Sequence, residues 1–244
     1  MRIPFLTAHW RHLVMVNYAV DPTILLPLTP AGTELDTWRG VCLVSMVGFM
    51  FDETKVFGCI PIPLHASFPE VNLRFYLKRR VGGETRRGVA FIKELVPSRS
   101  VTWVARTLFH ENYQRAPMQR KIELANPSRP DEGGQYSYEW HQNGSWSRLS
   151  GRTTGQLAEL AEGSIEQFIT EHYWGYSGGG DRRTIEYEVE HPSWRVWQAE
   201  HIRFEADVET LYGRGFVEPL SATPHSALVA EGSPVRLYYG RRLT

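Results

Sequence analysis

The run Gly40–Phe51 (GVCLVSMVGFMF) is apolar at nearly every position. A strand of that composition needs cover on both faces, so it belongs in the middle of a structure rather than at its edge. Asn72–Leu77 (NLRFYL) gives a second constraint through strict alternation. Leu73, Phe75 and Leu77 share one face, and Glu70, Asn72, Arg74 and Tyr76 share the other. Gly82-Gly83 predicts a hairpin from this strand into Val89–Val96, and Gln142-Asn143-Gly144 a second one between Tyr136–Trp140 and Ser145–Leu149. Arg11–Tyr18, Lys121–Leu124, Tyr187–Val189 and Ile202–Phe204 read as further strands. The pattern predicts about ten short strands.

Helical signals are few. Asp21-Pro22 opens a short helix with Asp as N-cap and Pro in the first turn. Ser98–Phe109 shifts to helical period, with Val101, Val104, Ala105 and Leu108 on one stripe. Ser164 and Gln167 form a capping box for a helix reaching about His172. The stretch 126–134 (NPSRPDEGG) is a loop too short to separate domains. The chain therefore reads as one mainly β domain over residues 1–244, with about three short helices as lids or plugs.

Lys+Arg and Asp+Glu both total 27, so the formal net charge is zero. That removes the global electrostatic case for nucleic acid or an anionic membrane. Basic doublets and triplets at Lys78-Arg79-Arg80, Arg86-Arg87, Arg182-Arg183 and Arg241-Arg242 lie beside glycines or a chain end and read as solvated turn charges. Trp and Tyr are dispersed rather than interleaved with a basic stripe, which points to packing, not base stacking. No apolar run reaches the ~20 residues of a membrane span. The N-terminal MRIPFLTAHWRH lacks an apolar leader core, and Cys42 and Cys59 sit in apolar runs with no CxxC. A cytoplasmic protein with reduced thiols is the reading these features support.

Several segments together resemble the YqjF-like family of uncharacterised bacterial proteins. They are FLTAHWRHLVMVNYAVDP, PAGTELDTWRG, EVNLRFYLKRR, RRGVAFIKELVPSRSVTWVARTLF, EHYWGY, EHPSWRVW and AEGSPVRLYYGRR. More remotely, HWRHLVMVNY and ARTLFHENYQRAPM resemble the acetoacetate decarboxylase-like superfamily. The resemblance implies an antiparallel, cone-shaped β-barrel with flanking strands and helices. It also implies changed chemistry. Tyr113 and Gln114 stand where the superfamily's enzymes have a Schiff-base lysine and a second lysine. Arg11 matches an arginine near the buried amine. Ser45 or a neighbour matches one catalytic glutamate, and the second falls near Ile60–Leu64, where there is no acid. Three of four functional positions are changed.

Imine chemistry needs a neutral, nucleophilic amine, which tyrosine and glutamine cannot supply. Lys93 is the one nearby lysine, and beside Glu94 it reads as an outward, snorkelling side chain. Arg11 can hold a carboxylate by its fork or form an ion pair with Glu70 or Glu94. Arg74 faces either water or a polar lumen. His110 is either a helix-end dipole partner or an acid–base group one turn before Tyr113. No HxH, HExxH or Cys/His pair has metal-ligand spacing, and no GxSxG, Walker or GxGxxG motif is present, so no metal or cofactor is expected. The function expected is a barrel pocket for a small, carboxylate-bearing molecule, with Arg11, Ser45, Asn72, Arg74, Tyr113 and Gln114 as binding residues. His110 and Tyr113 are the catalytic candidates. The alternative is a non-catalytic binding or interaction barrel. Convergence of Arg11, Arg74, His110 and Tyr113 on one cavity is the sharpest expectation.

Overall fold

In the computed structural model, residues 2–57, 60–61, 66–98, 112–178 and 183–243 are described. The strands are β1 (Leu6–Ala19), β2 (Glu34–Leu35), β3 (Leu43–Val56), β4 (Ile60–Pro61), β5 (Phe68–Val81), β6 (Glu84–Val96), β7 (Tyr113–Arg115), β8 (Met118–Leu124), β9 (Gly134–Gln142), β10 (Ser145–Ala158), β11 (Trp174–Ser177), β12 (Ile185–Glu190), β13 (Val196–Glu205), β14 (Ser226–Leu237) and β15 (Arg241–Arg242). Among the described residues, four short helices accompany them: α1 (Pro22–Leu25), α2 (Ile165–Thr170), α3 (Val208–Tyr212) and α4 (Val217–Ser221). The mostly β architecture matches the expectation. Beyond Ser98, the helix expected over Ser98–Phe109 lies outside the described residues. The sequence reading passed over β14, whose Gly232 and Pro234 interrupt its alternation, and over α3 and α4.

The strands β12, β11, β6, β5, β3, β1 and β14 follow one another as hydrogen-bonded neighbours, and β12 pairs again with β14 to complete a ring. The arm β13–β10–β9–β8 continues from β14. Most pairings are antiparallel, but β11 meets β6 in parallel through Trp174↔Gly88 and Gly175↔Val89. The β12–β14 closure is equally brief, Val189↔Leu237 and Glu190↔Arg236. The expected antiparallel barrel is thus a ring with a short parallel seam.

The apolar strand β3 is buried on both faces. Val44, Met46 and Met50 join one apolar layer, which continues into Tyr136, Tyr138 and Trp140 of the arm and into α3 and α4. Leu43, Val47, Phe49 and Phe51 join another inside the ring, which α2 plugs with Phe168 and Ile169. Gly48 sits where the arm presses closest: a Cβ there would come 2.6 Å from Tyr138 Cδ2.

Local signals hold where they were strong. Asn143 (φ 49°) and Gly144 (φ 82°) supply the left-handed pair of the second hairpin. Ser164 Oγ accepts from the Gln167 backbone N–H at 3.1 Å, and Gln167 Oε1 accepts from the Gly163 N–H at 2.8 Å. Asp21 Oδ1 accepts from the Thr23 N–H at 2.8 Å.

Three of the basic spots meet at one acid. Glu186 is buried, and it accepts from Arg79 Nη1 at 3.1 Å, Arg86 Nη1 at 2.7 Å and Arg241 Nε at 2.7 Å. The carboxylate ties β15 and the β5–β6 hairpin to β12. Glu186→Gln leaves three guanidiniums facing one another without a counter-charge. The expected loss is about 3 kcal/mol of unfolding free energy, read as a lower urea midpoint at unchanged slope.

Candidate functional site

The alternation of β5 decides which polar side chains enter the ring. Leu73, Phe75 and Leu77 face the arm-side layer. Glu70, Asn72 and Arg74, one pleat away, therefore point into the ring, where they line a cavity of about 60 Å³. One buried water needs roughly 10–15 Å³ of such space, so the cavity has room for a ligand of a handful of heavy atoms. Arg74 thus faces a lumen, which was one of the two placements the sequence left open.

Register brings the remaining polar groups opposite. Asn72 pairs with Glu94 across β5–β6, and Glu94 pairs with Tyr113 across β6–β7. Glu70 and Glu94 are 2% and 1% exposed. Asn72 Nδ2 donates to Glu70 Oε1 at 2.9 Å, and the Tyr113 hydroxyl donates to Glu70 Oε2 at 3.0 Å. Arg74 Nη2 donates to the Ile169 carbonyl at 3.0 Å, at the end of α2. Arg74 Nε and Asn72 Oδ1 are buried with no hydrogen-bond partner among the described residues. Trp10, Phe49, Phe91, Trp174, Tyr187 and Trp194 form much of the wall.

Burial dominates the electrostatics. Desolvation pushes the Glu70 carboxyl from its ordinary 4.5 up to about 7, against the opposing pull of Asn72, Tyr113 and Arg74. His172 is driven down to about 4 by burial. Its Nε2 stands 3.9 Å from Asp36 Oδ2, beyond hydrogen-bond range. Burial also lowers His191. Its Nδ1 lies 2.8 Å from the Pro192 carbonyl, so that nitrogen carries the proton. Both imidazoles are neutral at pH 7, so Arg74 is the cationic side chain among the described lining residues.

Of the residues expected to converge, Asn72, Arg74 and Tyr113 do, and Arg11 does not. The β1 strand bulges at His12 (φ 58°), with a register shift between Arg11 and Val14. Trp10 and Leu13 take the inward positions, and Arg11 falls on the outer face with its side chain half exposed. Its acid partner is Asp52 at 3.8 Å, not Glu70 or Glu94. Arg11 instead lines a separate outer cleft with His12, Tyr136 and Trp197. Ser45 faces inward but beneath the cavity, where its Oγ donates to Asn17 Oδ1 at 2.6 Å and meets the Tyr76 hydroxyl. Gln114, next to Tyr113 on β7, is not among the lining residues. His110 lies outside the described residues.

The sequence reading missed the two glutamates as site residues and expected the acid positions to be vacant. Glu70 was visible on the same strand face as Arg74. Glu94 became a site residue only through the Asn72↔Glu94 register. Lys55, Lys78, Lys93 and Lys121 are the only lysines in the chain, and none lines the cavity. Lys93 pairs with Leu73 and so shares the opposite strand face.

Residues 7–234 match the DUF2071 family, described as an uncharacterized conserved protein. The uncharacterized protein YqjF of Bacillus subtilis is 26% identical over 197 residues, covering 78% of this chain and 74% of YqjF. Among solved structures, the acetoacetate decarboxylase of Legionella pneumophila superposes with a TM-score of 0.66 at 11% identity, covering 100% of this chain and 88% of that one. The enduracididine biosynthesis enzyme MppR complexed with pyruvate gives 0.65 at 14%, covering 100% and 92%. At such identities the likeness is one of fold.

Glu70 makes a signed pH prediction. A carboxyl raised from 4.5 to about 7 binds more protons when folded, so its contribution to stability falls as pH rises through that window. His172, lowered from 6.5 to about 4, acts in the opposite sense between pH 4 and 6.5. The two offset each other in the wild type. In Glu70→Gln the falling component is gone, so stability relative to wild type should increase by up to about 1.4 kcal/mol per pH unit between pH 4.5 and 7. Urea titrations of both proteins across that range measure it.

Proposed function

The chain belongs to the DUF2071 family, and we propose that its ring cavity binds a small carboxylate-bearing organic molecule without forming an imine. The observation that carries this reading is Arg74. A guanidinium whose buried Nε has no partner among the described residues lines an aromatic-walled space. Its planar fork suits a carboxylate. The pyruvate complex of MppR supplies a parallel in the same fold.

The absence of lysine from the cavity lining supports chemistry other than that of a Schiff-base decarboxylase. Glu70, held near neutrality and oriented by Tyr113 and Asn72, has the properties of a proton-transfer group. The alternative is a binding barrel in which the same contacts recognise a ligand and no proton moves. We place the protein in the cytoplasm as a single domain, without a nucleic-acid partner. Among the described residues no helix is long and apolar enough to cross a membrane, and Cys42 is a buried free thiol.

Thermal-shift screening of small organic acids tests the pocket, since a ligand that binds only the folded state raises the melting temperature. Arg74→Met should weaken any such ligand by about 1.5–3 kcal/mol, the range for losing a hydrogen bond to a charged group. Failure of Arg74→Met to change affinity would remove the basis of the reading. Borohydride reduction in the presence of acetoacetate should leave the intact mass unchanged. A stoichiometric adduct on Lys93 would restore imine chemistry.

A further inference from the structure

The bulge that takes Arg11 out of the ring also shapes the space into which it points. On the outer side of β1 lies a cleft of about 240 Å³, against about 60 Å³ for the ring cavity, and the two share no lining residue. Strands β1 and β14 of the ring contribute to its lining, as do β8, β9, β10 and β13 of the arm. The backbone there is held in a costly shape. His12 has φ 58°, and Gly232, opposite Arg11, has φ 82°. A Cβ at position 232 would come 2.0 Å from the Trp10 carbonyl oxygen, so the close approach of β14 requires glycine. A non-glycine residue in the left-handed region costs about 1–3 kcal/mol, and such strain gathers at ligand sites. The Tyr138 hydroxyl holds the bend by donating to the His12 carbonyl at 2.8 Å. The bend turns Arg11 outward and sets the His12 imidazole 5.5 Å from the Tyr136 ring at an interplanar angle of 31°.

The lining is aromatic and incompletely satisfied. Trp197 and Tyr136 are 4% and 1% exposed, and Leu124 and Leu157 line the cleft with them. The buried Trp197 indole N–H has no acceptor among the described residues. Such a donor costs about 1–3 kcal/mol, which an acceptor oxygen on a ligand would recover.

The charged groups differ in how firmly they are held. Arg195 is fully engaged, with Nε and Nη2 donating to the two Glu231 oxygens at 3.0 and 2.7 Å. Arg11 is not: its Nε stands 3.8 Å from Asp52 Oδ2, too far for a hydrogen bond. Arg120 on β8 acts electrostatically on the same His12, and no carboxylate among the described residues lies within ion-pair distance of it. Burial lowers the His12 pKa, with Asp52 opposing and the two arginines assisting, so the imidazole is a neutral, flat surface at pH 7. Asp131 also lines the cleft, 3.9 Å from Arg129 Nη2.

We infer that this cleft is a second binding site, separate from the ring cavity, and that it takes a planar aromatic monocarboxylate. The carboxylate meets the Arg11 fork. The ligand ring packs against the His12–Tyr136 pair and Trp197. A carboxylate or ring-hydroxyl oxygen accepts from the indole N–H. Asp131 disfavours a second carboxylate on the ligand.

Calorimetry and thermal shift on the whole protein test the site. Benzoate, salicylate, 4-hydroxybenzoate and indole-3-acetate are compared with three controls. Benzamide lacks the charge, cyclohexanecarboxylate lacks the aromatic face, and terephthalate carries a second carboxylate. At least one aromatic monocarboxylate should bind about tenfold more tightly than all three controls. Arg11→Met should weaken that ligand about ten- to a hundredfold, and Arg74→Met should leave it unchanged. Arg11 is half exposed with one long contact, so the variant should keep the wild-type melting temperature. His12→Gly accepts the left-handed bend without strain and removes the imidazole. It should stay folded and bind the same ligand several-fold more weakly.

Binding unchanged by Arg11→Met overturns the second site. If Arg74→Met abolishes it instead, the acid lies in the ring cavity and the proposed function stands. Equal binding of any of the three controls overturns the assigned ligand class. No binding by any of the aromatic acids overturns the inference outright.

Discussion

The site depends on the pleat of one strand buried between two apolar layers. Leu73, Phe75 and Leu77 are committed to the layer shared with the arm. That commitment fixes the other parity of β5 and sends Glu70, Asn72 and Arg74 into the ring whatever the cost of desolvating them. A slip of one residue would expose three large apolar side chains to the lumen and press three polar ones into Tyr138 and its neighbours. The raised Glu70 carboxyl and the depressed His172 are consequences of this arrangement. The apolar layers hold ionisable groups where water would otherwise keep them at ordinary values.

Much of this was legible beforehand. The two-sided burial of Gly40–Phe51, the face assignment on β5 and the two hairpins followed from periodicity and turn chemistry, which are local properties. Arg11 was not legible. Its placement turns on a bulge at His12, a non-glycine residue with φ of 58°, matched by Gly232 (φ 82°) directly opposite Arg11 on β14. Strand pattern carries no signal for such a residue, and the remote resemblance that put Arg11 near the pocket does not register the bulge either. Glu94 was hidden for a different reason. Its role depends on cross-strand register with Asn72 and Tyr113, and register is a property of pairs rather than of either segment.

The fold is shared with an acetoacetate decarboxylase and with MppR at identities too low to carry over any lumen residue. An arginine, two carboxyls and a tyrosine share the space. A ring of strands can exchange its inward-facing residues with little effect on its outward packing, because the two sets occupy alternate positions and touch different neighbours. That separation is why the architecture alone does not dictate the chemistry of the lumen.

The ring's stitching is uneven. β1, β3, β5 and β6 are joined along long ladders, whereas β11 joins β6 through two residue pairs and β12 joins β14 through two. The panel β11–β12 carries Gly175, Tyr187 and Val189 of the cavity wall. Its ladders to β6 and β14 are the shortest between neighbours in the ring. Where the ladders are shortest, the buried Glu186 carboxylate acts as a rivet, fastening β12 to the β5–β6 hairpin through Arg79 and Arg86 and to β15 through Arg241.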